Sequence, residues 1–218
     1  MHDQIRDMGR QIVRQQSSVP SRKFDAISLL MDECSLHKME NLRECFIIAW
    51  SFGQLNVLDL GRCKNLRGTP DFRWIPNVAK LIFDGCTSLR RVDESIGHLR
   101  SLVRLNLREC SSLEQIPDTI SRFSCLETLD LHGYSNVSTL PENLGNLTSL
   151  KNLILNATNL TGLPESVTLM VNLKLLSLCR CRSLKQLPKL IGRVKSLTEF
   201  QISQGEIPSI PESIGSGN

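Results

Sequence analysis

The sequence predicts an α/β solenoid, a horseshoe of stacked coils with a parallel β-sheet on its concave face, preceded by a short N-terminal helix. Three observations predict it. Leucine supplies 35 of 218 residues while aromatic residues make up 5%, so one side-chain shape does most of the packing. An L-x-x-L-x-L pattern starts at Leu55, Val78, Leu102, Leu126, Leu150, Leu173 and Leu197, at spacings of 23, 24, 24, 24, 23 and 24 residues. Self-similarity at such a period marks a repeat array. An apolar-Pro pair recurs late in the units, at Ile116-Pro117, Leu140-Pro141, Leu163-Pro164, Leu187-Pro188 and Ile210-Pro211.

In chain order, Met1, Ile5, Met8 and Ile12 fall at helical spacing, which predicts an amphipathic helix over 1–16. Residues 17–41 read as a linker with room for a further helix, opening on Ser17 to Lys23. Leu42, Cys45 and Ile47 fit the repeat pattern, but the next unit begins only 13 residues after Leu42, so 42–54 is a degenerate unit. Residues 55–218 hold the seven regular units, and the last stops part-way at Ile214 to Asn218, as a truncated array would.

Within a unit the second and third apolar positions lie two apart, so they share one face of an extended segment and their neighbours face the other way. Proline lacks an N–H and fixes φ, so the apolar-Pro pair ends the strand pairing and starts the convex return. Eight residues after each start stand Cys63, Cys86, Cys110, Tyr134, Thr158, Cys181 and Gly205, where leucine-rich repeats place Asn or Cys. A compact donor there turns inward and meets backbone carbonyls of the bend. Tyr134 is too large for that role, and an irregular turn is expected at it. A lone unit cannot bury its Leu face, so stacking supplies the core, and strands ~4.8 Å apart make seven coils about 30 Å long.

Composition excludes several classes. No apolar run approaches the roughly 18 residues of a membrane span, and the N-terminus lacks the apolar stretch of a signal peptide. Eight Cys are spread singly, which fits reduced packing thiols better than a disulfide framework. There is no phosphate loop, no H-E-x-x-H and no G-x-S-x-G, so the chain reads as non-enzymatic and carries no cofactor of its own. Cys179 and Cys181 lack the second ligand pair that structural zinc needs.

The remaining candidates are surfaces. The strand positions between the leucines bring Arg104, Asn106, Arg108, Thr128, Asp130, His132, Asn152, Asn156, Ser177, Glu199, Gln201 and Ser203 to the concave face. Solenoids bind partners there, and this polar, varied set suits a protein better than a small molecule. His132 beside Asp130 is either a partner contact or a solvated pair. Seven basic residues and no acid lie between Lys174 and Thr198, whereas 114–170 is rich in acids. That coil is either an electrostatic docking edge or a solvated convex face. No aromatic residues interleave with the basic ones, and a net charge of +4 is modest, so nucleic acid is not an expected partner. Four N-x-[ST] sequons, at Asn136, Asn146, Asn156 and Asn159, are the feature an extracellular protein would use.

The order of these features resembles one family, the plant intracellular TIR-type nucleotide-binding leucine-rich-repeat immune receptors. The residues that carry the likeness are Met1-His2-Asp3 with the helix running to Arg14, Leu58-Asp59-Leu60, Thr69 to Phe72, Cys86 to Leu89, and Glu94 to Gly97. The resemblance implies that His2 and Asp3 contact bound ADP in an intact parent protein and hold it off. It implies that the repeats restrain the parent's own nucleotide-binding module, and that recognition of a pathogen effector or a guarded host protein relieves this autoinhibition, letting ADP exchange for ATP and receptor assembly proceed. It also implies a role in defense response and signal transduction and a cytoplasmic or nuclear location. The TIR domain and the phosphate loop are absent, so the chain reads as a C-terminal piece of such a receptor. The rival reading is an extracellular leucine-rich-repeat ectodomain or inhibitor.

Overall fold

The computed structural model describes residues 55–203. The expected N-terminal helix, the linker, the degenerate unit, His2, Asp3, Gly205 and the Ile210-Pro211 pair lie outside them. Each of the first six units from Leu55 onward forms one coil and the seventh contributes its strand within the described residues; they are numbered here one to seven from the start. The coils contribute strands β1 (Val57–Asp59), β2 (Lys80–Ile82), β3 (Arg104–Asn106), β4 (Thr128–Asp130), β5 (Asn152–Ile154), β6 (Leu175–Cys179) and β7 (Glu199–Ser203). All pairs are parallel, and the strands follow sequence order across a single sheet. The register is the repeat itself, with Leu81, Leu105, Leu129 and Leu153 standing opposite one another.

In the first six coils the return segment holds a short 3-10 turn, and in several of them proline sets where it begins. Pro117 and Pro164 sit at φ −62° and −63°, immediately before the turns Asp118–Arg122 and Glu165–Leu169. That φ is the ring's own value, and the missing N–H costs nothing at a turn's start. The leucines of both halves meet in one continuous core, in which Leu105, Leu129, Leu153, Leu176, Ile120, Leu144 and Val167 are fully enclosed.

The strand-ending bend repeats with a feature that hydrophobic periodicity did not reveal. The residue before the ladder position has positive φ in each of the first six coils: Arg62 (63°), Gly85 (71°), Glu109 (56°), Gly133 (72°), Ala157 (55°) and Arg180 (62°). Four of these carry a side chain in a region that disfavours one by roughly 1–2 kcal/mol. The gain is a continued ladder. The N–H of each donates to the next coil, as in Glu109 N to His132 O (2.7 Å) and Gly133 N to Asn156 O (2.8 Å).

The inward ladder forms as the chemistry requires. Cys86 Sγ donates to the Leu60 carbonyl (3.0 Å), Cys110 Sγ to Phe83 (3.2 Å) and Cys181 Sγ to Leu155 (3.0 Å). Burial pushes the Cys110 thiol up to about 12, and the Cys63 thiol together with burial raises Cys86 as well. Cys86 and Cys110 therefore stay protonated donors and are poor nucleophiles.

The irregular turn expected at Tyr134 lies on its downstream side. Its bend is regular, with Gly133 at positive φ and Tyr134 N donating to Leu131 O as in the Cys coils. The irregularity falls three residues later. Leu66, Leu89, Leu113 and Leu184 each donate back to their ladder Cys carbonyl, and no such bond follows Tyr134 or Thr158. The ring is wholly buried and its hydroxyl has no partner; burial also raises its phenol above the ordinary range. An unpaired buried hydroxyl costs about 1–3 kcal/mol. Tyr134→Phe is thus expected to hold or raise the denaturation midpoint, and a loss of more than about 1 kcal/mol would show that the hydroxyl is satisfied.

Candidate recognition surface

Leucines that must face the core force the alternate strand residues outward, and exact register lines those residues up in rows across the sheet. The first row runs Val57, Lys80, Arg104, Thr128, Asn152, Leu175 and Glu199; the second runs Asp59, Ile82, Asn106, Asp130, Ile154, Ser177 and Gln201. A third row at the strand ends holds Asp84, Arg108, His132, Asn156, Cys179 and Ser203. The structure therefore brings all twelve sequence-predicted residues onto one face.

They are not equally available. The second row is largely occupied in holding the sheet. Asn106 Oδ1 accepts from Arg108 N (2.9 Å) and Asp130 Oδ1 from His132 N (3.0 Å), as Asp59 Oδ1 does from Gly61 N (2.9 Å). Such side-chain acceptors at a strand end cap an N–H that the turn leaves over. Asp130 and Ser177 are only 7% and 2% exposed, so little of either reaches the surface. Ser177 Oγ donates to Asn156 Oδ1 (2.8 Å), with the Gln201 amide 2.7 Å away on its other side, and Asn156 Oδ1 also accepts from Cys179 N (2.7 Å). Asn156 is thereby locked too. His132 is half-buried, and it meets Asp130 through its backbone N–H.

The first row stays open. Lys80, Arg104 and Glu199 are exposed, and Thr128 and Asn152 are half-exposed and joined by Asn152 Nδ2 donating to Thr128 Oγ1 (3.2 Å). Charges elsewhere on or beside this face have partners: Arg108 Nε lies 3.7 Å from Asp84 Oδ1, and Lys151 Nζ lies 2.7 Å from Glu127 Oε1. Lys80 and Arg104 stand directly opposite each other on β2 and β3, and neither joins any of the ion pairs found among the described residues. Like charges so placed lower stability.

The apolar members of the face, Val57, Ile82, Ile154 and Leu175, are half-buried; polarity gives no sign of them, and the repeat spacing alone locates them. Among the described residues no group of three His, Cys, Asp or Glu is placed to hold a metal ion, and no helix is long and apolar enough to cross a membrane.

No family model matches the chain. A stretch of 59 residues, 27% of the chain, is 37% identical to Disease resistance protein RPP5 of Arabidopsis thaliana, and the match spans 4% of that protein. Among solved structures, a leucine-rich-repeat protein of Leptospira interrogans is similar with a TM-score of 0.59 at 23% identity, over 77% of this chain and 47% of that one. The Arabidopsis receptor kinase HAESA, solved with the peptide hormone IDA and the co-receptor SERK1, gives 0.55 at 24% identity, over 78% of this chain and 33% of that one. The chain thus spans less than half the length of these relatives, and likeness at such identities shows fold. The stacked parallel strands, the ladder of thiols and these neighbours together make the chain a leucine-rich-repeat solenoid.

Proposed function

We propose that the chain is the protein-recognition region of an intracellular plant immune receptor of the TIR type, and that its sheet face binds a pathogen effector or a guarded host protein. The observation that carries this is the open first row, above all the uncompensated Lys80 and Arg104, which weaken the fold and are explained by a partner that supplies carboxylates. The stretch shared with a plant resistance protein supports the compartment and the biology. In this reading the region also restrains the parent's own nucleotide-binding module, to which ADP or ATP and the contacts of His2 and Asp3 belong. With no phosphate loop in the sequence, no nucleotide step is assigned to the chain itself.

Charge reversal tests the face. Lys80→Glu with Arg104→Glu is expected to weaken partner capture from leaf extract at least tenfold, about 1.4 kcal/mol, while the melting temperature stays near that of the parent, because one pair of like charges replaces another. Unchanged capture by a folded variant would overturn recognition through this face.

One observation favours the extracellular alternative. Asn136, Asn146 and Asn159 are exposed sequons, whereas the locked Asn156 is not open to a glycan. Intracellular placement predicts no endoglycosidase-sensitive mass on the chain made in plant tissue, and a glycan at any of the three would favour the alternative.

A further inference from the structure

We infer that the convex side of coils five and six is a second docking surface, separate from the sheet face, for an acidic segment of a partner protein that also carries aliphatic side chains. Four rows of the return segments point to it, because each keeps one chemical character along coils two to six and breaks it only here. One row reads His98, Arg122, Asn146, then Leu169, then Arg193. The next reads Arg100, Ser124, Thr148, then Val171, then Lys195. A third runs Ser95, Thr119, Asn143 and Ser166, and then becomes Leu190. The fourth places Glu94, Asp118, Glu142 and Glu165 at the start of the return, where carboxylates suit the free N–H groups of a turn, and then becomes Lys189.

The three apolar breaks are the exposed large hydrophobic residues of the described chain: Leu169 at 59%, Val171 at 68% and Leu190 at 43%. They are neighbours. Pro164 and Pro188, and Leu175 and Glu199, are each 24 residues apart and in register, which sets Leu169 beside Arg193 and Val171 beside Lys195. Leu190 and Arg193 belong to one 3-10 turn, closed by Arg193 N donating to Leu190 O (2.8 Å), and residues three apart in such a turn lie on the same side. The patch is thus an aliphatic strip of Leu190, Leu169 and Val171 flanked by Lys189, Arg193 and Lys195.

These three cations, with Lys174, Arg180, Arg182 and Lys185 around the same coil, are all exposed. None takes part in an ion pair found among the described residues, and no acid lies between Glu165 and Glu199. Stability does not call for any of this, since the polar residues at the same rows in other coils build the same turn. A partner covering the strip must bury aliphatic surface and neutralise the cations, which specifies carboxylates set beside aliphatic side chains. No aromatic residue occurs between Pro164 and Glu199, which argues against a membrane interface at this strip, since Trp and Tyr are the usual anchors there.

The test uses the whole chain and a fluorescent helical peptide bearing a stripe of Leu flanked by Glu on the same face, with its Gln-for-Glu counterpart as control. The acidic peptide is expected to bind and the Gln version to bind much more weakly. Leu169→Ser with Val171→Ser, and separately Arg193→Glu with Lys195→Glu, are each expected to weaken binding about tenfold with the melting temperature unchanged, because these side chains lie outside the core. Arg62→Glu with Lys64→Glu, on coil one, is expected to change nothing. Equal binding by both patch variants overturns the proposal. So does binding to vesicles of equal parts phosphatidylserine and phosphatidylcholine, or to a single-stranded oligonucleotide, without binding to the peptide.

Discussion

Leu129→Ala is expected to lower stability by about 3–5 kcal/mol, the upper part of the range for emptying a core leucine site. Leu129 is fully buried, and it lies in register between Leu105 on β3 and Leu153 on β5. Two coils hold it from either side, so the void cannot collapse without shifting one strand against the other. A solenoid is held together by contacts between nearest coils, and a weak fourth coil therefore loosens coils one to three from coils five to seven. Urea denaturation should show a lower midpoint, and a shallower slope if the halves separate. Leu169→Ala, of the same chemistry but exposed, should fall within about 0.5 kcal/mol of the parent. A small effect at Leu129 would mean that coil four is not stacked as described.

Gly145→Ala is expected to cost about 3 kcal/mol or to prevent folding, at the upper end of the range for overpacking. A methyl group there would lie 1.9 Å from the Ser166 carbonyl oxygen and 2.5 Å from its carbon. The obstacle is the backbone of the next coil, which cannot rotate away as a side chain can. Gly145 N also donates to Ser166 Oγ (3.1 Å), so the close approach holds a bond between return segments. Gly162 provides the control, since a methyl group there meets Gln186 Cγ at 3.5 Å, an ordinary contact. Gly162→Ala should change stability by less than about 1 kcal/mol. Thermal melts of the two variants side by side check the contrast.

Much of this architecture was legible because the repeat is a physical unit. A leucine that recurs at a 23 to 24 residue spacing must face the same core each time, which fixed the strands, their parallel order and the ladder Cys at once. The positive-φ residue was hidden because only Gly85 and Gly133 of the six use glycine; Arg62, Glu109, Ala157 and Arg180 give no sign of it in their side chains. The irregularity expected at Tyr134 falls in the turn that its own carbonyl would close, and Thr158 shares it, so ring size alone does not set it. On the sheet face, position was readable and availability was not. Asp130 and Arg104 occupy comparable strand positions, yet one caps the His132 N–H while the other stands open. That difference arises from hydrogen bonds between neighbouring residues and strands, which a single unit does not display. The convex patch lay hidden for a related reason: Leu169 and Val171 look like ordinary repeat leucine and valine until the rows of several coils are set side by side.

The central claim, recognition through the sheet face, is tested most directly by lysine acetylation footprinting of the complex with a captured partner. Lys80 stands in the open row, while the exposed Lys64 follows the bend where the strand of coil one ends. The account predicts that the partner protects Lys80 strongly and leaves Lys64 as reactive as in the free chain. Full reactivity of Lys80 in the complex would contradict it.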